Sequence, residues 1–450
     1  MNSWIPIPND SDFTLANIPL GIVSTPSRPL PSPVTRVGNT IVFLSNLYDA
    51  GCFQNLSPTI PASCFSANTL NPLFALPKVC VTAIRNRLID LFREDTPFGS
   101  LLRDNEELRK GALADAETQS LHHKIEYHLP VQIGDYSDFY AGRHHAFRVG
   151  RMFRGEGNEL QKNYEQLPVG YHGRASSVVV SGRSVRRPKG QIQEGLFRQT
   201  EKLDYEIELG AIVGGGDTDM GVAVGVEEAA DRIAGYVLLN DWSARDIQSF
   251  EYVPLGPFTS KSFITSISAW VILSDALAPF RVSGLTRFSQ TPVLPYLTHP
   301  ASTKPSIFNI NIECTIHDRE GTGGVVTTTN ARHLLWSFEQ MLAQQTVTGC
   351  NIRTGDLLGS GTISGEKEGE EGCLLEAGQN GTVDVPVEGG KLKRRWLHDG
   401  DKIVMRGWAG RGEKRVGWGE GCVGEVLPAL ISSKTVKGVG HSTKFGTGEI

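Results

Sequence analysis

Apolar and polar positions alternate in short runs through most of this chain, and helical spacing is confined to a few stretches. Residues 1 to about 80 are rich in Pro, Ser, Asn and Thr around brief apolar runs such as Thr40-Ile41-Val42-Phe43-Leu44. That texture predicts a small β-domain with long connections. Ile84, Leu88, Leu91 and Phe92 recur at helical spacing and predict a helix over 81–94. The charged, Ala- and Leu-rich stretch 100–122 predicts a second helix, set off by Pro97 and Gly99. Beyond residue 128 the pattern changes to β-like runs at 177–180, 203–213, 235–239, 269–273 and 402–405, divided by glycine turns. Asp399-Gly400 and Glu388-Gly389-Gly390 read as hairpin or loop signals. Residues 331–345 read as one helix, and the small, polar stretch 432–450 as a mobile tail. The expected division is therefore 1–128, 129–431 and the tail, in a β-rich α+β chain with no internal repeat.

Composition narrows the class. With 450 residues, 39% hydrophobic and 21% charged, the chain is globular and too long for one ordinary core. Fifty glycines and 24 prolines fit many turns. A net charge of −5 offers no basic surplus for phosphates, so nucleic acid is not an expected partner. Seven scattered cysteines include no CxxC pair, which points to a reducing compartment rather than a disulfide or zinc framework. The opening MNSWIPIPNDSDF lacks the basic-then-apolar pattern of a signal peptide, and no apolar run approaches the ~20 residues that span a bilayer. A cytoplasmic protein without a membrane partner is expected.

Candidate chemistry concentrates in a few segments. If 203–209 is a strand, Asp204, Glu206 and Glu208 share one face, and neighbouring carboxylates repel unless a positive charge lies between them. Hard cations such as Ca2+ and Mg2+ take oxygen ligands and supply that charge. A solvated strand face fits the same pattern taken alone. The apolar strand 235–239, however, runs straight into Asn240-Asp241-Trp242-Ser243-Ala244-Arg245, which puts an acid at a strand end beside Trp and Arg. Gly134-Asp135-Tyr136-Ser137-Asp138-Phe139-Tyr140, followed by Arg143-His144-His145, gathers carboxylate, phenol, guanidinium and imidazole, and makes His145 a candidate general base. Arg154 and Tyr171 could hold a substrate carboxylate, Arg154 through its bidentate fork. Gln248, Tyr252 and Lys261 could stabilise an oxyanion. Three histidines in 121–128 lack the spacing of a catalytic zinc helix, and Gly214-Gly215-Gly216 lacks the GxGxxG pattern. No GxSxG elbow or P-loop occurs.

The segments GDYSDFY, LPVGYHGRASSVVVSG, LNDWSARDIQ, EYVPLGPF, NIRTGDLLGSGTISG and HDGDKIVMRG resemble the fumarylacetoacetase family. The likeness runs from NDSDF near residue 10 to LPAL at 427–430, and its motifs are long and specific. It implies a small N-terminal SH3-like β-barrel domain, a larger C-terminal mixed β-roll domain, and a homodimer. It further implies Asp138, Glu206, Glu208 and Asp241 as carboxylates for a divalent metal, Ca2+ or Mg2+, with Lys261 and Thr265 bordering a second, Mg2+-like position. His145 would be the water-activating base with Glu376 behind it. Arg245, Gln248 and Lys261 would form the oxyanion site, and Tyr140, Arg154, Tyr171, Tyr252 and Thr362 would line a diketo acid substrate.

The implied reaction is hydrolysis of a carbon–carbon bond in 4-fumarylacetoacetate, giving fumarate and acetoacetate at the end of tyrosine and phenylalanine catabolism. The alternatives are a related metal-dependent acylpyruvate hydrolase, hydratase or decarboxylase, or a binding protein in which the acids hold a structural Ca2+. The chain departs from the family pattern at Ile264, in the acidic loop 365–372, and in Ala377-Gly378-Gln379-Asn380-Gly381 after Glu376.

Overall fold

The computed structural model describes residues 2–112, 125–300 and 306–430. Strand Leu20–Ser24 pairs on one side with Ser32–Val37, which pairs with Thr40–Phe43, and on the other with Glu126–His128. The small N-terminal sheet thus takes its fourth strand from the far end of the segment. Helix Lys78–Phe92 forms where the spacing predicts it and buries Ile84, Leu88, Leu91 and Phe92. These side chains join Ile212, Val237, Leu239 and Ile267 of the larger sheet in one apolar cluster, so the two parts share a core.

The larger sheet has eight strands. Its path runs Gly170–Gly173, Tyr136–Phe139, Leu357–Gly359, Ile207–Val213, Ile233–Asn240, Thr265–Ile267 and Val178–Val180, with Ile272–Leu273 also on Ile233–Asn240. All seven residues of Ile207–Val213 are buried. This sheet is therefore covered on both faces, which its near-continuous apolar strands require. A second, six-stranded sheet is built on Gly323–Asn330, Asn311–His317, Lys402–Ala409 and Cys422–Leu427.

Several expectations are corrected. The 203–213 run is two strands, Leu203–Asp204 and Ile207–Val213, because the first pairs with Ser243–Ala244 and the second with Ile233–Asn240. The 331–345 helix is a 3-10 turn, Ala331–His333, followed by a helix Phe338–Thr346. Ser337 sets that start: its Oγ accepts from Gln340 N and its own N–H donates to the Gln340 side chain, a complete capping box. In 100–122 the chain makes a 3-10 turn, Gly99–Leu101, and a short helix, Glu106–Ala112; 113–122 lies outside the described residues. Of 269–273 only Ile272–Leu273 is strand. Glu388-Gly389-Gly390 does turn between paired strands, whereas Asp399-Gly400 does not close a hairpin. The 432–450 stretch also lies outside the described residues.

Register is what aligns the chemistry. Ile207 faces Asn240, Asn240 faces Ser266, and Gly210 faces Gly359, which in turn faces Asp138, itself opposite Tyr171. Glu208, Asp241, Thr265, Asp138 and Tyr171 therefore lie at one end of five strands, two on one side of Leu357–Gly359 and three on the other. Just past Leu357–Gly359 the chain needs a left-handed residue, Gly361 at φ +74°, whose N–H donates to Glu208 Oε2 at 3.1 Å. A Cβ there would stand 2.2 Å from the Phe139 carbonyl oxygen. Gly361→Ala is expected to cost about 1–3 kcal/mol through that clash and the unfavourable φ. Urea unfolding measures it, and a loss below roughly 0.5 kcal/mol would contradict the account.

Candidate active site

Asp138, Glu206, Glu208 and Asp241 are 2%, 5%, 1% and 1% exposed, so the solvated-face reading is excluded. Oxygen atoms of Asp138, Glu208 and Asp241 lie within 4.8 Å of one another. Glu206 takes a different position. Lys261 Nζ bridges it to Asp241, at 2.6 Å from Glu206 Oε2 and 2.5 Å from Asp241 Oδ2, and Arg245 Nη1 sits 2.7 Å from Glu206 Oε1. The expected four-carboxylate set is thus three acids clustered within 4.8 Å and a fourth joined through an ammonium.

The charge states follow from these neighbours. Burial, then Asp138, Asp241 and Glu206, hold the Glu208 carboxyl well above the usual carboxylate range. Asp138 is likewise raised, by burial first and Asp241 second, against the pull of Lys261 and the Tyr171 hydroxyl. For Glu206, burial pushes upward, but Lys261 and Arg245 outweigh it and keep the group ionised. Asp138 Oδ1 and Glu208 Oε1 are buried without a hydrogen-bond partner. Buried, mutually repelling carboxylate oxygens without donors are what a hard divalent cation satisfies, so the residues fit such an ion. Thr265 Oγ1 donates to Asp241 Oδ1 at 3.1 Å and borders the same group.

At the other side of the site, helix Arg143–Arg154 begins three residues after Tyr140 and carries His145 and Arg154. His145 Nδ1 lies 2.6 Å from Glu376 Oε1, which also accepts from Ser364 Oγ at 2.6 Å. Burial raises the Glu376 carboxyl, but His145 and Ser364 reverse this and hold it at about 2. Past the short helix Leu374–Ala377, which Gly378 caps, Gln379 and Asn380 take left-handed backbone, and the Glu376 carboxylate of that helix holds His145.

Between these two centres lies a cavity of about 360 Å³. Its lining includes Asp138, Tyr140, His145, Arg154, Tyr171, Glu206, Glu208, Arg245, Gln248, Tyr252, Lys261 and Thr362. Of the residues expected in the site, Asp241, Thr265 and Glu376 stand behind this lining. Arg245 Nε donates to Asp204 at 2.9 Å and Nη1 to Gln248 Oε1 at 3.1 Å, while Nη2 is buried with no partner. Arg154 donates to the carbonyls of Asn158 and Glu159 in its own loop. The Tyr171 hydroxyl donates to Asp138 Oδ2 at 2.7 Å, so it supports the carboxylate cluster as well as lining the cavity.

Four further contributors have roles that the sequence pattern does not assign. Arg148 reaches Glu376 Oε2 at 3.3 Å from one helical turn beyond His145, a spacing that could have pointed to it. Tyr136 places a buried, unpartnered hydroxyl beside the cluster, two residues before Asp138 on the same strand face. Asp204 pairs with Arg245 and accepts from the Leu374 and Leu375 N–H groups. Glu251 accepts from the backbone and side chains of Thr259 and Ser260 and from Phe258 N, ordering the loop that delivers Lys261. Asp204 is legible in the sequence only as a companion of Glu206 and Glu208, not as the partner of Arg245, and Glu251 has no local signal.

A β-rich fold holding a carboxylate cluster and a His–Glu pair across one cavity has the makings of a hydrolytic enzyme. Family models for the fumarylacetoacetase N-terminal and the fumarylacetoacetate hydrolase C-terminal regions match residues 16–130 and 136–417. The chain is 46% identical to a fumarylacetoacetase of Aspergillus fumigatus, 42% to one of Caenorhabditis elegans and 40% to one of Homo sapiens. Each alignment covers 96% of this chain and at least 99% of the relative. The chain belongs to the fumarylacetoacetase family.

A sign follows for stability. A carboxyl whose pKa is raised by folding costs stability that is full above its folded pKa, shrinks as pH falls between the folded and unfolded values, and is gone below the unfolded one. In chelator-treated protein, Glu208→Gln is expected to raise Tm at pH 7, with the gain shrinking as the solution is acidified. A divalent cation should raise Tm in the parent more than in the variant. Calorimetry decides it: a Glu208→Gln variant less stable than the metal-free parent at pH 7 would refute the repulsion argument.

Proposed function

We propose that the chain hydrolyses the carbon–carbon bond of 4-fumarylacetoacetate to fumarate and acetoacetate, the last step of tyrosine and phenylalanine catabolism. The observation that carries this reading is the His145–Glu376 pair facing a buried carboxylate cluster across one cavity, in a chain aligned with fumarylacetoacetases over nearly its whole length.

Glu376 engages Nδ1 and leaves Nε2 as the ring nitrogen available to a water in the cavity. The ionised carboxylate orients the ring and stabilises the imidazolium formed when Nε2 takes the proton. Water oxygen then bonds to the carbonyl carbon, and the carbonyl electrons move onto its oxygen. Donors for that oxyanion are Arg245 Nη2, the Gln248 amide and Lys261; the first of these has no other partner. As the oxyanion re-forms a carbonyl, the carbon–carbon bond breaks with its electrons on the departing acetoacetate carbon, and the proton held by His145 returns to that fragment. Arg154, Tyr140, Tyr171, Tyr252 and Thr362 would hold and orient the substrate. Asp138, Glu208 and Asp241, with Glu206, would hold Ca2+ or Mg2+, and the bound ion would contribute positive charge beside the developing enolate.

We also read the chain as 1–128 and 129–431 domains of a cytoplasmic homodimer. Val253, Leu255 and Phe258, exposed next to the cavity, supply apolar surface for the partner copy. Among the described residues no helix is long and apolar enough to cross a membrane.

His145→Ala is expected to lower kcat/KM for fumarylacetoacetate by about 10²–10⁴-fold while fold and divalent-ion binding survive. Steady-state kinetics alongside calorimetric ion titration would check both halves. Unchanged turnover sinks the assigned base, and cleavage of acylpyruvates alone sinks the assigned substrate.

A further inference from the structure

On the side of His145 away from the cavity, three donors of different chemistry meet. Nδ1 lies 2.6 Å from Glu376 Oε1, while Cys373 Sγ lies 3.4 Å from that oxygen and 3.9 Å from Nδ1. All three residues are buried. Inside this triangle a point stands about 2 Å from every donor, close to zinc bond lengths of ~2.0 Å to N or O and ~2.3 Å to S. Shifts of a few tenths of an ångström would close the set around an ion. Ser364 Oγ, 2.6 Å from Glu376 Oε1, is a further oxygen at its edge.

We propose that His145, Cys373 and Glu376 form a second metal site, selective for soft divalent cations of the zinc class, whose occupation switches the base off. Thiolate and imidazole favour Zn2+, Co2+ and Cd2+, whereas the all-oxygen cluster of Asp138, Glu208 and Asp241 suits Ca2+ and Mg2+. The two sites therefore sort ions by hardness. Loading is proton-coupled: the cysteine thiol loses its proton to solvent, and the ring proton at Nδ1 must leave that nitrogen. A neutral imidazole carries one N–H, so the proton moves to Nε2. The lone pair that faced the cavity is then used, and water can no longer be deprotonated there. Because the donors are buried, loading requires the segment carrying Cys373 to open, and inhibition should develop with time.

The binding half of this proposal stands on the three donors alone; the inhibition half rests on His145 as the base. The test uses the full chain loaded with Mg2+, in a Cys350→Ser background that removes the exposed thiol. Titration with Co2+ should produce a sulfur-to-cobalt charge-transfer band saturating at one ion per chain. Cys373→Ser should weaken that binding by about tenfold or more and relieve time-dependent Zn2+ inhibition in parallel. A missing band, or one unaltered by Cys373→Ser, overturns the site. Loss of the band with unchanged Zn2+ inhibition overturns the switch. Should Cys373→Ser fail to fold, X-ray absorption of the zinc-loaded parent decides: one sulfur neighbour supports the site, and oxygen and nitrogen alone reject it. Turnover of fumarylacetoacetate without zinc is measured separately, so failure of the substrate reading is distinguishable from failure of this one.

Discussion

Like charges buried together are the constraint on which this molecule turns. Four carboxylates, none more than 5% exposed, are buried together, and the chain supplies cations for only part of the set. Lys261 and Arg245 neutralise Glu206 and half of Asp241; Asp138 and Glu208 keep oxygens with no donor at all. A protein selected for stability alone would replace such groups with apolar side chains of similar size. Retaining them makes sense where an external cation completes the balance, and the cost is then part of the affinity for that ion.

The sheet makes the arrangement possible because each strand contributes at one end only. Residues inside Ile207–Val213 and Ile233–Asn240 are apolar and locked between layers, so the acids at their ends cannot retreat from one another. Close packing transmits small backbone errors, and a shift at Gly361 would reach Glu208 through a single hydrogen bond. Rigidity here is electrostatic in purpose: repulsion stays stored only if the side chains cannot rotate away.

Much of this was legible from residues 134–140, 203–209 and 240–246, where acids adjoin apolar strands. Periodicity located helix Lys78–Phe92 and strand Ile233–Asn240 because local spacing and tertiary packing agree there. It failed at 203–213 and 331–345 because long-range pairing and a serine cap, not spacing, decide where those elements break. Asp204 was illegible for the same reason. It shares a nominal strand face with Glu206 and Glu208, yet the break at 205–206 turns it toward Arg245 and the Leu374–Ala377 helix. Nor does spacing distinguish Cys373 from the other buried cysteines, since its neighbours His145 and Glu376 meet it only in the fold.

That turn of Asp204 links the two halves of the site. Glu206 and Asp204 share Arg245, and Asp204 accepts the first N–H groups of the helix that presents Glu376. Glu376 in turn orients His145. The charge on the carboxylate cluster and the posture of the base therefore belong to one continuous buried network. In such surroundings each pair is strengthened by low local dielectric and each unpaired atom is correspondingly expensive. The ion-binding carboxylates and the base cannot be tuned independently: a charge added or removed at Glu206 alters the partner that holds Asp204, and through it the support of Glu376. The neutralising arginine, more than any single acid, is what makes the cluster and the pair a single site.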